Sequence, residues 1–168
     1  GTGTITLDAS STGATANIAI NATVRSVSDT IDVFADNDVT FSATGAIRST
    51  SGDVKVRGDA DGVNFDAVGN GTGAVTMTFG SVINAGSGKI SIRADDDVTL
   101  AMVRSTNATT PPNAIVVTSD SESIRDDGTE TSFVQAPNIT LNAAKAIGSD
   151  SLSSEITFTQ ANPPTAFF

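Results

Sequence analysis

Ile5-Thr6-Leu7-Asp8-Ala9 is the stretch that decides how this chain folds, because it returns four times. The copies are Val39-Thr40-Phe41-Ser42-Ala43, Val63-Asn64-Phe65-Asp66-Ala67, Val98-Thr99-Leu100-Ala101-Met102 and Ile139-Thr140-Leu141-Asn142-Ala143. Large apolar groups occupy the first and third positions, a hydroxyl or amide the second, and mostly alanine the fifth. Alternation with a period of two marks a strand with one buried face. Its return along the chain predicts stacked structural units.

Working outward, three copies sit inside a longer phrase. Residues 28–41, 51–65 and 87–100 each run from a Ser-Gly or Ser-Asp turn through a short strand (Ile31/Val33, Val54/Val56, Ile90/Ile92). A small residue follows (Ala35, Gly58, Ala94), then an Asp-rich corner, then the pentapeptide. A third element comes after several copies, in Ala46-Ile47-Arg48-Ser49, Val103-Arg104-Ser105 and Ala146-Ile147-Gly148-Ser149, and Val24-Arg25-Ser26 is related to it. Three short strands per unit predict a parallel β-solenoid with coils of about 20–25 residues. The pentapeptide starts at 5, 39, 63, 98 and 139 are unevenly spaced, so longer intervals are read as insertions or degenerate coils, with Val75-Thr76-Met77-Thr78-Phe79 as a degenerate strand. The chain is expected to be one solenoid domain over 1–168. An insertion is expected at about 105–137, around the loop Thr109-Thr110-Pro111-Pro112-Asn113, and a non-repeat tail at 162–168.

Composition agrees with this fold class. Hydrophobic residues make up 38% and charged residues only 17%, and no long window shows helical periodicity, so almost no helix is expected. Aromatic residues are 5%, all Phe, which argues against sugar-stacking platforms and against an immunoglobulin core built on Trp and Tyr. With neither Cys nor His, the usual zinc, haem and iron–sulfur ligation, Cys nucleophiles and Ser–His relays are excluded. The chain begins at Gly1 without a start methionine or signal-like segment, so it is expected to be a fragment or processed product. A net charge of −10 repels nucleic-acid phosphates and anionic membranes and attracts cations. No run approaches the length of a membrane-spanning helix. Neither nucleic acid binding nor membrane insertion is therefore expected.

The acids gather at the repeated corner. Asp36, Asp38, Asp59, Asp61, Asp95 and Asp97 fall there together with Asp96, and Asp126 and Asp127 form a further pair. Coils stacked in register bring equivalent corners to about 4.8 Å. Carboxylates at that spacing repel unless a hard cation bridges them, which makes structural Ca2+ the cofactor such a corner would take. The plainer reading is that Asp favours turns and keeps strand edges soluble. Arg25, Arg48 and Arg104 recur in one phrase and are expected to make coil-to-coil salt bridges with these corners. Thr6, Thr40, Asn64, Thr99 and Thr140 are expected to form one solvated ladder. Repetition of the carboxylates suits architecture better than catalysis, so no catalytic residue is assigned and the chain is not expected to be an enzyme. A polysaccharide-binding or polysaccharide-cleaving β-helix is the first alternative, since a carboxylate pair is the equipment of glycoside hydrolysis. A calcium-rigidified cadherin-like sandwich is the second.

Phrases such as APNITLNAAKAIGS (136–149), GSVINAGSGKISIRADDDVTL (80–100) and VFADNDVTFSATGAIRSTSGDV (33–54) resemble the repeats of filamentous-haemagglutinin-type adhesins and of giant bacterial surface proteins. The likeness covers most of the chain outside 105–137. It implies a right-handed solenoid exported to the bacterial surface, with an adhesive, matrix or fibre role, and carries over no catalytic residues. Open solenoid ends imply stacking on neighbouring repeats or head-to-tail self-association, with Phe167 and Phe168 as assembly contacts, and host or matrix glycans as further partners.

Overall fold

The computed structural model describes residues 3–9, 16–60, 72–108, 114–129, 131–148 and 158–159. They form a right-handed parallel β-solenoid of six coils. The first coil holds β1 (Ile5–Ala9), β2 (Ile18–Ile20) and β3 (Thr23–Arg25), the second β4 (Ile31–Ala35), β5 (Val39–Phe41) and β6 (Ala46–Arg48). The third holds β7 (Val54–Arg57), β8 (Val75–Met77) and β9 (Val82–Asn84), the fourth β10 (Ile90–Ala94), β11 (Val98–Leu100) and β12 (Met102–Arg104). The fifth holds β13 (Ile115–Ser119), β14 (Ile124–Asp126) and β15 (Val134–Gln135). The last holds β16 (Ile139–Ala143), an isolated bridge from Ile147 to Ile124, and β17 (Phe158–Thr159).

The coils stack into three sheets. The first runs β1-β4-β7-β10-β13-β16, the second β2-β5-β8-β11-β14, and the third β3-β6-β9-β12-β15-β17. Every strand pair is parallel, which overturns the cadherin-like alternative, since sandwiches of that kind pair their strands antiparallel. No helix occurs among the described residues.

Register explains why the sequence repeats. Ile31, Val54, Ile90 and Ile115 are successive partners along the first sheet, as are Val39, Val75 and Val98 along the second and Ile47, Ile83, Val103 and Val134 along the third. All are fully or almost fully buried. Each inward position therefore sits on its own kind, and burying each such aliphatic side chain contributes about 1.5–3 kcal/mol. Between the third and first sheets the turn is closed by serine: Ser26 Oγ accepts from Asp29 N (2.9 Å) and Ser49 Oγ from Gly52 N (2.8 Å). Ser105 Oγ accepts from Asn107 N and donates to Gly88 O (2.7 Å). The Arg-Ser phrase is thus a turn signal. Coils approach so closely here that a Cβ on Gly88 would lie 2.1 Å from Gly52 O, and one on Gly52 2.1 Å from Asp29 O.

Three expectations change. First, the pentapeptides do not share one slot. Ile5–Ala9 and Ile139–Ala143 lie in the first sheet, while Val39–Phe41 and Val98–Leu100 lie in the second. The supposed Thr ladder splits accordingly, with Thr76 standing between Thr40 and Thr99 and with Thr6 and Thr140 on another face. Second, the slot expected for Val63–Ala67 belongs to β8, the strand read as degenerate, while 63–67 lie outside the described residues. First-sheet strands begin at 5, 31, 54, 90, 115 and 139, so the coils advance by 26, 23, 36, 25 and 24 residues. The long step is the third coil, where residues 58–74 link β7 to β8 and residues 36–38 suffice in the second coil. Third, 105–137 is no insertion between coils. It contains β13, β14 and β15, all in register with β10, β11 and β12. What set it apart are the two longer intervals between its strands, residues 105–114 and 127–133.

Candidate functional site: the stacked acidic corner

The corner between the first and second sheets gathers the acids as the sequence implied. Asp36 and Asp38 lie between β4 and β5, Asp59 follows β7, and Asp95, Asp96 and Asp97 lie between β10 and β11. Asp61, like Phe167 and Phe168, lies outside the described residues.

The carboxylates there bond the next coil's backbone. Asp38 Oδ1 accepts from Ala74 N at 2.9 Å, and Asp97 Oδ1 from Ser123 N at 3.1 Å. In both cases the residue immediately before a second-sheet strand clamps the residue immediately before the strand stacked on it. The same clamp recurs one corner away, where Asp53 Oδ1 accepts from Lys89 N at 2.8 Å. In the first coil Asn17 fills the role, its Oδ1 accepting from Asp38 N at 2.9 Å. An acidic or amide oxygen thus extends the backbone ladder around a bend where strand pairing stops. Asp96 Oδ2 accepts from Gly73 N at 3.3 Å, and Asp95 Oδ2 from Ser121 Oγ at 2.9 Å.

Cations complete several contacts in the later coils. Arg93 grips Asp120 with Nε and Nη2 at 2.7 and 3.3 Å, Arg125 Nε stands 3.2 Å from Asp97 Oδ1, and Lys145 pairs with Glu122. These partly exposed pairs contribute about 0–1 kcal/mol each. The Asp126–Asp127 pair serves its own turn: Asp127 accepts from Thr129 N, Thr129 Oγ1 (2.7 Å) and Ser132 Oγ (2.7 Å).

Two acids differ from the rest. Asp36 is 1% exposed and neither of its carboxylate oxygens has a hydrogen-bond partner. Asp59, fully buried one coil on, has a left-handed backbone (φ 63°), its N–H bonded to Asn37 O at 2.9 Å. Among the described residues no group of three acidic side chains is gathered in a metal-holding arrangement. On the outer face of the first sheet Asp32 stands beside Lys55 in register; burial holds its pKa above the usual carboxylate value, with Lys55 opposing the shift and Asp53 adding to it.

The three arginines are elsewhere. Arg25, Arg48, Asn84, Arg104 and Gln135 form one column along the third sheet, and the arginines are exposed, with no ion pair among the described residues. The salt bridges expected between them and the acidic corner are not formed, because that corner lies where the first sheet meets the second. Sequence reasoning also missed the clamp, although Asp-Val at 38–39, 53–54 and 97–98 was its visible signal. Among the described residues no helix is long and apolar enough to cross a membrane. Compared with family models, characterised proteins and solved structures, the chain has no match in any of the three.

Proposed function

We propose that this chain is a structural or adhesive repeat protein of the bacterial cell surface or extracellular matrix, a segment or subunit of an extracellular fibre, and not an enzyme. The observation that carries this reading is the use of the acids. Asp38, Asp53 and Asp97 repeat along the stack and each bonds the next coil, so the polar chemistry of the corners serves axial cohesion. Catalysis by a carboxylate pair needs the opposite, two acids converging once across a cleft. The resemblance of 33–54, 80–100 and 136–149 to surface-adhesin repeats supports the extracellular setting, where host or matrix glycans are the partners to try first.

The test is display of the chain on a non-adherent bacterium, with attachment to glycan- and matrix-coated surfaces measured against a strain displaying an unrelated solenoid. Attachment above that control supports the reading. Depolymerisation of any member of a polysaccharide panel by the purified protein would overturn it in favour of the carbohydrate-active alternative.

A further inference from the structure

Charge is divided unequally among the three sheets. Strands of the first sheet include Asp8 and Asp32 and those of the second Asp126, whereas no strand of the third contains an acidic residue. The third sheet also carries every exposed arginine among the described residues. Arg25 and Arg48 are direct partners, and Asn84, Arg104 and Gln135 continue the column in register. The other arginines are engaged: Arg57 is buried and donates to Asp59 O, Arg93 grips Asp120, and Arg125 reaches Asp97. A chain of net charge −10 therefore keeps one basic stripe on an acid-free sheet. The stripe crosses five coils, a length of about 19 Å at about 4.8 Å per step.

Alone, the chain gains nothing from this arrangement. Like charges directly opposite on neighbouring strands destabilise a sheet. Arg25, Arg48 and Arg104 have no ion pair among the described residues, and the outward column beside them, Thr23, Ala46, Val82 and Met102, supplies no counter-charge. A local rule broken without internal compensation is expected where a surface serves a partner. We propose that this column binds a linear polysaccharide of uronic acids, laid along the solenoid axis and across the strands. Each guanidinium offers a carboxylate two parallel N–H donors. Asn84 Oδ1 is taken up by Gly86 N at 2.9 Å, which leaves the Asn84 amide NH2 to donate to a sugar hydroxyl, and Gln135 supplies a second amide. Three charges over five coils suit a polymer with at most one carboxylate per sugar. Duplex nucleic acid, with one charge per about 1.7 Å, is repelled far more strongly by the net charge of −10. A second copy of this chain fits less well, because its Asp38, Asp53, Asp97 and Asp120 carboxylates are already accepting hydrogen bonds. The acidic corner lies between the other two sheets, and physiological salt screens exposed charges beyond about 8 Å, so it does not cancel the contact. This inference rests on the adhesive reading above and names the class of glycan.

The test titrates the 168-residue protein by calorimetry with an oligogalacturonate long enough to span the column. Binding is expected, it weakens as salt is raised, and a neutral malto-oligosaccharide of the same length does not bind. Arg25→Gln, Arg48→Gln and Arg104→Gln each weaken affinity about 2–5-fold, and the triple variant about 10–100-fold. Lys145→Gln removes an exposed cation that pairs with Glu122 away from the column, and leaves affinity unchanged. All four positions are exposed, and thermal melting shows that the variants remain folded. Absence of binding to the oligogalacturonate, or a loss in Lys145→Gln as large as in the triple variant, would overturn the proposal. Equal affinity for poly-glutamate would overturn it too, since charge alone would then be read. The adhesive reading would survive any of these results, because attachment of the displayed chain to glycan- and matrix-coated surfaces decides it separately.

Discussion

Replacing Asp38 separates the two roles open to the acidic corner. Its Oδ1 accepts from Ala74 N at 2.9 Å in a half-buried bend. Asp38→Ala leaves that N–H without its acceptor. Hydrogen bonds to charged groups contribute about 1.5–3 kcal/mol, and partial exposure brings the expected loss to about 1–2 kcal/mol. Asp38→Asn keeps an oxygen in the same place, and the protein already uses this chemistry one coil earlier, where Asn17 Oδ1 accepts from Asp38 N at the same 2.9 Å. That bond involves only the backbone of residue 38 and survives both substitutions. The amide variant should therefore lose no more than about 0.5 kcal/mol, the part owed to charge. Urea unfolding followed by far-UV circular dichroism measures both variants, and similar slopes show that the same surface is exposed. The titration is repeated with calcium and with chelator. An acceptor clamp gives the order wild type, Asn, Ala, with little dependence on calcium. If Asn is as damaging as Ala, or if calcium stabilises the wild type but not Asp38→Asn, then charge is what the corner requires and the carboxylate is a cation ligand.

Three further outcomes are expected. Gly88→Ala places a methyl 2.1 Å from the backbone oxygen of Gly52, so coils three and four must part; a loss of about 1–3 kcal/mol in urea unfolding is expected, and a neutral result would show that the coils can separate there at no cost. Arg25 and Arg48 are directly opposed and exposed, and neither has an ion pair among the described residues, so Arg48→Glu should stabilise by about 0.2–1 kcal/mol, an effect that fades in high salt and is read from the urea midpoint. Burial raises the Asp32 pKa, so the folded state holds that proton to higher pH than the unfolded chain does. Stability is then lost as pH rises from the ordinary carboxylate range through the raised value. Asp32→Asn should raise the melting temperature at neutral pH and gain nothing at lower pH, where wild-type Asp32 is itself protonated; an equal gain at every pH would refute this cause.

How much of this was legible in the sequence depends on what a period of two encodes. Apolar residues at alternate positions name a buried face and nothing more, so Ile5–Ala9 and Val39–Phe41 look alike while belonging to different sheets. Both sheets face the same narrow core and ask for the same pattern. Sheet membership is set by the turn at the end of each strand. After Ala35 and Ala94 an acidic corner turns the chain into the second sheet, and after Phe41 the turn through Gly45 carries it to the third. Matching by corner fails in the third coil, because Gly58-Asp59-Ala60-Asp61-Gly62 is followed at once by the apolar alternation Val63-Asn64-Phe65, although the second-sheet strand is Val75–Met77. The acids were visible as a cluster but their chemistry was not, because each clamp reaches far along the chain, from Asp38 to Ala74 and from Asp97 to Ser123. A sequence window shows like charges crowding, and only the stack supplies the N–H groups that they accept from.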